Sequence, residues 1–381
     1  MCVCGARPNF MKIAPLAKAF EKAGCFETFV VHTGQHYDDN MSKLFFEELG
    51  IPRPNVNLEV GSGSHASQTA EIMKRFEPVV LEHKPDYVLV VGDVNSTIAC
   101  GLVAVKLGVK LIHVEAGLRS FDRGMPEEIN RLLTDSISDL LFVTEQSGVD
   151  NLLREGIDSS KIHLVGNVMI DTLLANRDKA EKSDVMSRLG LSKHGYAAIT
   201  LHRPSNVDDI KKFAEIVTAF ETIEKEMKLV FPIHPRTRAN MKSSALERRI
   251  EAMKNLLLLE PVGYLDFLCL MSNAALVMTD SGGIQEETTI LGVPCMTLRE
   301  NTERPVTITE GTNRLVHITA EDILRNYRDI MNNRSRYSAK TPRFWDGKAA
   351  KRIADAIKNN ANNRCWQPGV FHIDKSSDRA L

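Results

Sequence analysis

Long apolar runs are missing from this sequence of 381 residues. The longest runs, such as YVLVV and NLLLL, have the length of a β-strand, whereas a membrane-spanning helix needs about 18 apolar residues. The sequence also lacks a charged-then-apolar leader with a small-residue cleavage site, so it does not indicate secretion. We therefore expect a cytoplasmic protein with no membrane partner.

An excess of charge of either sign is also missing, because the formal net charge is −1 at pH 7. Domains that bind nucleic acid usually carry a basic surface, so the sequence gives no indication of a nucleic-acid partner. With 43% hydrophobic and 25% charged residues, the composition is that of an ordinary globular protein. The length is sufficient for two or three domains.

Cysteines with the spacing of a metal site are absent, since Cys2 and Cys4 are separated by a single residue and the others are scattered. We expect reduced, mostly buried thiols. The segment MCVC is predicted to be the first strand, and it is not followed by GxGxxG. No GKS or GKT occurs either, and we predict no metal, no NAD and no other cofactor. The seven cysteines are Cys2, Cys4, Cys25, Cys100, Cys269, Cys295 and Cys365.

Strand-length apolar runs alternate with amphipathic helical patterns along most of the chain. In the first half, the segments FVVHTG, YVLVVGD, KLIHVEAG and LLFVTEQ are typical of strands. Apolar residues spaced three and four apart predict helices at residues 10–20, 41–49, 67–82, 96–107 and 127–138. The apolar residues of these segments are continuous and β-branched rather than alternating with polar residues, which is typical of strands buried on both faces. The predicted fold class is therefore α/β with doubly wound parallel sheets.

The same alternation resumes after about residue 168. The segments YAAITLHRP, KLVFPIHP, NLLLLEP, ALVMTDSGG and PCMTLRE predict a second sheet, with helices near residues 208–226, 246–253, 264–271 and 284–291. We predict two Rossmann-like domains, 1–168 and 169–345, with a ligand cleft between them. A last helix at 346–362 is expected to pack back toward the first domain, and residues 363–381 are predicted to be a tail.

Three carboxylates of the first half follow predicted strands, where ligands of parallel sheets bind. Asp93 ends VLVVGD, where it either caps the next helix or faces a ligand. Glu115 ends IHVE, and the glycine after it, rather than the glutamate, supplies the turn. Glu127 and Glu128 follow Pro126 at a standard helix start, so a structural role explains one of these two glutamates better than it explains both.

Basic residues and histidines follow other strands. The segment GARPNFMK either forms a tight turn or places Arg7 and Lys12 at an anion site beside a helix N-terminus. His202 and His234 end successive strands of the second half, at the predicted cleft, although a lone histidine more often has a structural role.

The segment TDSGGIQEETTILGVP gives the most specific indication of a binding site. A strand ends at Asp280, and Ser281, Gly282 and Gly283 form a turn into a helix whose N-terminus attracts phosphate. An acidic residue one turn into such a helix can accept hydrogen bonds from ribose hydroxyls. The segment RENTERP then adds two arginines. A sugar nucleotide with a diphosphate would use all of these groups.

These segments, in this order, carry a family resemblance. The motifs GARPNFMKIAPL, TGQH, VVGDVNST, HVEAGLRS, PEEINR, TLHRPSN, HPRTR, TDSGGIQEE and TERP resemble those of the non-hydrolysing UDP-N-acetylglucosamine 2-epimerase family. The resemblance implies the GT-B architecture, in which the active site lies between two Rossmann-like domains. It implies interconversion of UDP-N-acetylglucosamine and UDP-N-acetylmannosamine, by elimination and re-addition of UDP, for cell-envelope polysaccharides. We expect a UDP-sugar as the bound small molecule, no cofactor and a homodimer.

The resemblance also implies roles for single residues. The catalytic set would be Asp93, Glu115, Glu127 and His202. The substrate-binding set would be Arg7, Lys12 and Arg304 at the diphosphate and sugar, Ser281, Gly282 and Gly283 at the phosphates, Glu287 at the ribose and Phe267 near the uracil.

The chain departs from the family motifs at several positions. Ala6 and Asn9 stand where the family commonly has threonine and glutamate, Ser205 stands where it has an acid, and Val94 stands where it has threonine. These departures leave the identity of the N-acyl sugar open, since related epimerases act on 2,3-diacetamido uronic acid nucleotides. A hydrolysing 2-epimerase, a GT-B glycosyltransferase and a non-catalytic sugar-nucleotide sensor remain as alternatives.

A regulatory site is a further implication of the resemblance. In bacterial members, a second substrate molecule activates the enzyme, partly through the QH motif. Gln35 and His36 are present here, but Tyr37 and Asp38 follow them, which leaves activation by substrate open. With His234, Gln35 and His36 are the candidate regulatory residues.

Overall fold

The computed structural model describes residues 1–5, 7–34, 53–233, 235–242, 246–333 and 340–362. Within these residues the strands form two sheets, and every pair of neighbouring strands is parallel. Parallel strands need crossover connections, which here are mostly helical. The predicted α/β class with two doubly wound parallel sheets is therefore confirmed.

The first sheet belongs to the N-terminal half. Its strands are β1 Cys2–Cys4, β2 Val30–His32, β3 Val56–Asn57, β4 Tyr87–Val91, β5 Lys110–Ala116, β6 Leu140–Val143 and β7 Ile162–Leu164. The described helices between them are α1 Arg7–Ala23, α2 His65–His83, α3 Asn95–Lys106, α4 Pro126–Ile137 and α5 Gln146–Arg154. The spatial order β3-β2-β1-β4-β5-β6-β7 changes direction between β1 and β4, so the carboxyl ends near these two strands form a ligand-binding edge.

The second sheet repeats this organisation. Its strands are β8 Tyr196–Thr200, β9 Lys228–Pro232, β10 Leu256–Leu259, β11 Leu276–Thr279, β12 Cys295–Leu298 and β13 Asn313–Val316. The described helices that precede, connect and follow them are α6 Val168–Ala180, α7 Val185–Arg188, α8 Pro204–Val207, α9 Ile210–Ile223, α10 Pro235–Lys242, α11 Leu246–Glu251, α12 Tyr264–Ser272, α13 Gly282–Leu291, α14 Val306–Thr309, α15 Ala320–Asn332 and α16 Ala349–Asn362. The order β10-β9-β8-β11-β12-β13 changes direction between β8 and β11.

One hydrophobic cluster runs through both halves of the molecule. It includes Leu16 of α1, Leu173 of α6, Leu268 of α12 and Ile353 of α16. Helix α16 packs against α1 and α6, and its first turn donates backbone hydrogen bonds from Ala349 and Ala350 to the Asp171 carboxylate at 3.1 and 2.7 Å. Because this cluster crosses residue 168, the domain limits 1–168 and 169–345 stay a prediction.

The structure corrects several predicted element boundaries. Helix α1 begins at Arg7 rather than residue 10, since a proline in the first helical turn removes only an N–H group that has no acceptor there. The sequence analysis did not predict strands β3, β7 and β13 or helices α5, α6, α7, α8, α10, α14 and α15. Strands β3 and β7 are short and only partly buried, which weakens their apolar pattern. Residues 346–348, predicted to begin the last helix, precede α16. The helix predicted at 41–49 lies outside the described residues.

The described cysteines are free thiols, all buried except Cys25, which agrees with the predicted reduced and mostly buried state. Cys365 lies outside the described residues. Within the described parts of the chain, no helix is long and apolar enough to cross a bilayer.

Candidate functional site

Glu115 lies where β5 leaves the first sheet. The register of β5 against β6 shifts between Val114 and Ala116, and Glu115 has a φ of +78°. This left-handed conformation is uncommon for a residue with a side chain, and such backbone strain is concentrated at functional sites. The bulge turns a buried carboxylate away from the regular alternation of the strand and toward the second half.

The Glu115 carboxylate contacts one cation from each half. Lys12 of α1 forms an ion pair with it, and Arg304, which follows β12, donates from Nη2 to Oε1 at 2.7 Å. Gly92, with a φ of +68°, leaves room for the ammonium group, because a Cβ at this position would lie 2.9 Å from Nζ of Lys12. Three of the predicted site residues therefore meet although they come from distant parts of the sequence.

Arg304 is buried among carboxylates. It donates from Nε to Glu286 at 2.5 Å and from Nη1 to Glu303 at 2.6 Å, in addition to Glu115. Burial acts to lower the pKa of Arg304, but the three carboxylates outweigh burial and raise the pKa well above its usual value. Conversely, burial acts to raise the pKa of Glu303, but Arg304 and Arg299 hold that pKa well below its usual range. Arg304 is thus a permanent cation between the two halves.

Asp93 does not cap the helix that follows it. The N-cap position of α3 is occupied by Val94, whose side chain makes no capping hydrogen bond. The Asp93 carboxylate instead accepts a hydrogen bond from Nη1 of Arg131 at 2.5 Å, with 25% of the side chain exposed. The capping alternative is therefore wrong, and the ligand-facing role stays a prediction.

Arg131 of α4 joins Asp93 to Glu128. It is buried, and its Nε and Nη2 donate to Oε2 of Glu128 at 3.0 and 2.7 Å. Glu128 also accepts hydrogen bonds from the backbone N–H groups of Ser120 and Phe121. Burial acts to raise the pKa of Glu128, but Arg131 and these backbone donors lower the pKa below its usual value. Glu128 therefore fixes the loop that precedes α4.

Glu127 has the opposite environment. Its side chain is partly exposed and makes no hydrogen bond or ion pair with the described residues. Of the two glutamates at this helix start, Glu128 has the structural role and Glu127 is available to a ligand. The sequence analysis did not identify Arg131, although its position three residues after Glu128 on a helix was a signal for their pairing.

His202 and Asp280 follow the two central strands of the second sheet. Nδ1 of His202 is 3.0 Å from Oδ1 of the buried Asp280, while the His202 side chain is 50% exposed. Asp280 also accepts hydrogen bonds from the backbone N–H groups of His202 and Arg203 and from the side chain of Asn206. Burial acts to raise the pKa of Asp280, but His202 and the backbone donors lower it. The geometry gives Nδ1 of His202 the hydrogen and leaves Nε2 available, an orienting role for Asp280 that the sequence analysis missed.

The turn from β11 into α13 brings a helix N-terminus beside Arg304. A Cβ on Gly282 would lie 2.6 Å from Nη1 of Arg304 and 2.8 Å from Oε1 of Glu303, so glycine permits this close approach. Ser281 is the N-cap residue, and its side chain makes no capping hydrogen bond, while Gly283 lies in the first turn. Because the first N–H groups of a helix have no intrahelical acceptor, this end of α13 suits an anionic oxygen.

The residues predicted to contact the ribose and the uracil, Glu287 and Phe267, lie on α13 and α12, and these two helices pack together. Glu287 of α13 is buried, and its Oε1 accepts a hydrogen bond from the Tyr264 hydroxyl at 3.1 Å. Burial raises the pKa of Glu287 to about 8. Phe267 is partly buried and lies one turn after Tyr264.

The structure does not test the predicted roles of four residues. Gln35, His36 and His234 lie outside the described residues, and the side chain of Arg7 is not described. Among the side chains that are described, no group of three or more His, Cys, Asp or Glu is arranged to hold a metal ion.

Known proteins resemble this chain over nearly its whole length. Residues 18–358 match the family model described as UDP-N-acetylglucosamine 2-epimerase. A Methanocaldococcus jannaschii relative named UDP-N-acetylglucosamine 2-epimerase is 46% identical over 356 residues, which are 92% of this chain and 96% of the relative. A Pseudomonas aeruginosa relative named UDP-2,3-diacetamido-2,3-dideoxy-D-glucuronate 2-epimerase is 40% identical over 361 residues, 94% of this chain and 98% of the relative.

Solved structures have the same fold. The structure of M. jannaschii UDP-GlcNAc 2-epimerase in complex with UDP-GlcNAc and UDP matches with a TM-score of 0.87 and 45% identity, covering 94% of this chain and 99% of that one. The two parallel-sheet halves of this chain thus have the GT-B architecture that the family resemblance implies. The match of family model, relatives and structures over nearly the whole chain shows that this protein is an enzyme of the UDP-N-acetylglucosamine 2-epimerase family.

Proposed function

We propose that this protein interconverts UDP-N-acetylglucosamine and UDP-N-acetylmannosamine by inversion at C2, and that the products feed cell-envelope polysaccharides. Relatives named for the epimerase and a related structure that holds UDP-GlcNAc and UDP support the substrate. One observation carries the proposal: Glu115 of the first half contacts Arg304 of the second. A carboxylate that can move a proton thereby lies against a cation that can hold a diphosphate.

Inversion at C2 requires removal of a hydrogen that is not acidic in the intact sugar, and elimination of UDP avoids this difficulty. A base takes the C2 proton, the C–H electron pair forms the C1=C2 double bond, and the C1–O electron pair leaves with UDP. The intermediate is a 2-acetamidoglucal beside bound UDP. A proton then adds to the opposite face of C2 and UDP returns to C1, so that no oxidant or reductant is consumed.

This chemistry needs two proton-transfer groups on opposite faces of C2, which we assign among Asp93, Glu115 and Glu127. Arg131 fixes Asp93, and Lys12 is one of the cations that fix Glu115. Fixed positions favour proton transfer because the reacting groups need no reorganisation in the transition state.

The departing diphosphate needs compensating positive charge. Arg304 and the N-terminus of α13 supply it from the second half, with Ser281, Gly282 and Gly283 at the phosphates. In this proposal Arg7 and Lys12 supply it from the first half, and His202, when both of its ring nitrogens are protonated, donates from Nε2 to the leaving group. Glu287 binds the ribose and Phe267 lies against the uracil.

Proton NMR of the reaction in deuterated water tests the proposal. Incubation with UDP-N-acetylglucosamine should give a mixture of the two UDP-sugars, with one deuterium at C2 of the product. Free N-acetylmannosamine would instead indicate the hydrolysing reaction. A product without solvent deuterium would exclude proton exchange at C2.

A second candidate substrate is a UDP-2,3-diacetamido uronic acid, which the Pseudomonas relative favours. The same C2 chemistry applies, since the difference between the two sugars lies at C3 and C6. Comparison of kcat/KM for the two UDP-sugars decides between them. Transfer of the sugar to an acceptor would support a glycosyltransferase, and binding without turnover would support a sensor.

We also propose that the protein is a homodimer in the cytoplasm, with domains 1–168 and 169–345. Light scattering coupled to size-exclusion chromatography would measure the mass in solution. A mass near 42.5 kDa, that of one chain, would contradict the dimer.

A further inference from the structure

Glu145 is a buried carboxyl group to which the reaction assigns no role. It lies between β6 and α5, and 3% of the residue is exposed. Its Oε1 accepts a hydrogen bond from the hydroxyl of Ser147 at 2.7 Å, and its Oε2 has no hydrogen-bond donor among the described residues. It also has no ion-pair partner in the described part of the chain. A buried carboxyl group without a cation is costly to keep ionised.

The charges that face Glu145 come from the second half. Glu286 of α13 acts on it as a like charge and Arg304 as an opposite charge, while the backbone N–H of Val306 faces it at the start of α14. Arg304 is already shared among Glu286, Glu303 and Glu115, and Oε2 of Glu286 also lacks a hydrogen-bond donor among the described residues. Glu145 therefore faces a region in which several carboxyl groups already share Arg304.

A nucleoside diphosphate on Arg304 adds negative charge to this region. We propose that Glu145 takes up one proton from solvent when the diphosphate of the nucleotide binds. The inference rests on the proposed UDP site. No bond of the nucleotide changes in this step, since the carboxylate and a solvent proton simply give the neutral carboxyl group.

Glu145 is a better proton acceptor than its neighbour Glu286. Glu286 accepts a hydrogen bond from the Arg304 guanidinium, which stabilises its ionised form, whereas the side-chain donor to Glu145 among the described residues is the neutral hydroxyl of Ser147. Burial raises the pKa of Glu145 to about 7, with Glu286 adding to the rise and Ser147 and Arg304 opposing it. Its charge therefore changes near neutral pH, and a further rise on nucleotide binding leads to proton uptake.

Uptake of a proton makes the affinity for UDP depend on pH. By linkage, the dissociation constant should rise with pH above about 7, by up to about tenfold per pH unit. Protonation of Glu145 would also remove the like-charge repulsion between Glu145 of the first half and Glu286 of the second half.

Isothermal titration calorimetry with UDP tests the inference. Titrations at pH 8 in buffers of different ionisation enthalpy give the number of protons taken up per UDP, for which we expect roughly half to one. Glu145→Gln keeps the size and the acceptor for Ser147, and it should reduce this number to near zero. Glu251→Gln, which removes an exposed glutamate of α11, is the matched control and should leave the uptake unchanged.

Two outcomes would overturn the inference while leaving the proposed function intact: UDP binds to the wild type without proton uptake, or Glu145→Gln retains the uptake. If UDP does not bind at all, the proposed function itself fails. Should the variant not fold, UDP-induced infrared difference spectra of the wild type provide the second readout. Gain of the C=O stretching band of a protonated carboxyl group supports the inference, and its absence contradicts it.

Discussion

At the residue scale, Glu127 and Glu128 are adjacent in sequence but differ in environment. Glu127→Gln should lower kcat by about 10²–10⁴ because it removes proton transfer, and it should leave stability unchanged because the side chain has no partner among the described residues. Glu128→Gln should instead destabilise the protein by about 3 kcal/mol, since Arg131 would lose its buried partner. Turnover assays and urea denaturation of both variants measure this contrast. Wild-type turnover of Glu127→Gln would remove this residue from the proposed catalytic set.

Asp280 orients the ring of His202 through its hydrogen bonds. Asp280→Asn places an amide where the carboxylate accepts hydrogen bonds, so the ring of His202 should lose its fixed orientation and kcat should fall at least about tenfold. Nitrogen NMR of His202 should change from a single Nδ1–H tautomer to a mixture. Asp209→Asn, at the exposed N-cap of α9, is the control and should keep both the signals and the activity. An unchanged His202 spectrum in Asp280→Asn would contradict the orienting role.

At the element scale, the end of β5 depends on the glycine after the bulge. Gly117 has a φ of +80°, and a Cβ there would overlap the backbone oxygen of Gly148. Its N–H donates to Asp135 at 3.1 Å and its C=O accepts from Asn151 at 2.9 Å, so the backbone cannot shift without losing these bonds. This turn requires a residue that adopts a left-handed conformation and that lets the backbone of Gly148 approach closely, and only glycine does both. The turn in this way sets the position of Glu115.

Gly117→Ala should therefore lower the free energy of unfolding by about 3 kcal/mol or more. Gly108→Ala is the matched control, because Gly108 has a similar φ of +75° but open space around the added Cβ. It should cost only about 1 kcal/mol for the left-handed conformation. Urea denaturation measures both values. Equal costs for the two variants would show that the contact with Gly148 has no energetic effect.

At the scale of the whole molecule, buried carboxyl groups set the pH dependence of stability. Burial raises the pKa of Glu287 to about 8, of Glu145 to about 7 and of Asp171 to about 6. In the folded state these groups hold protons that the unfolded chain releases above about pH 4.5. Their contribution to stability is therefore complete below the unfolded pKa and is lost as pH rises through the folded pKa.

We expect the free energy of unfolding of the ligand-free protein to fall between about pH 6.5 and 8, because burial lowers the pKa of His32 and of His163 and their change of opposite sign lies below about pH 6.5. Each group contributes up to about 1.4 kcal/mol per pH unit while it titrates. Carboxylates with lowered pKa, such as Asp135 and Asp280, contribute a change of opposite sign that lies below about pH 4, so it leaves this window unaffected. Glu287→Gln should reduce the slope of the free energy of unfolding against pH in the upper part of this pH range, and Glu251→Gln should leave the slope unchanged. Denaturation curves at four pH values measure the slope, and a rise in stability over this range would contradict the prediction.

The sequence by itself determined the α/β class, the two parallel sheets and the strand ends at which site residues occur. These features are local: strand-length apolar runs, helical spacing and turn residues act over a few neighbouring positions. The segment TDSGGIQEE, for example, specified both the turn and the helix start that the structure has at α13. Short, partly exposed strands such as β3 and β7 lack this local pattern and were missed.

Only the tertiary structure decided which polar side chains pair with one another. The contact of Arg304 with Glu115 joins residues 189 positions apart, and that of His202 with Asp280 joins residues 78 positions apart. The sequence likewise could not show that the carboxyl group of Glu145 faces Glu286 and Arg304. Burial and the partners of a charged group depend on elements that meet only in the folded chain, and these two quantities determine its pKa and its chemistry.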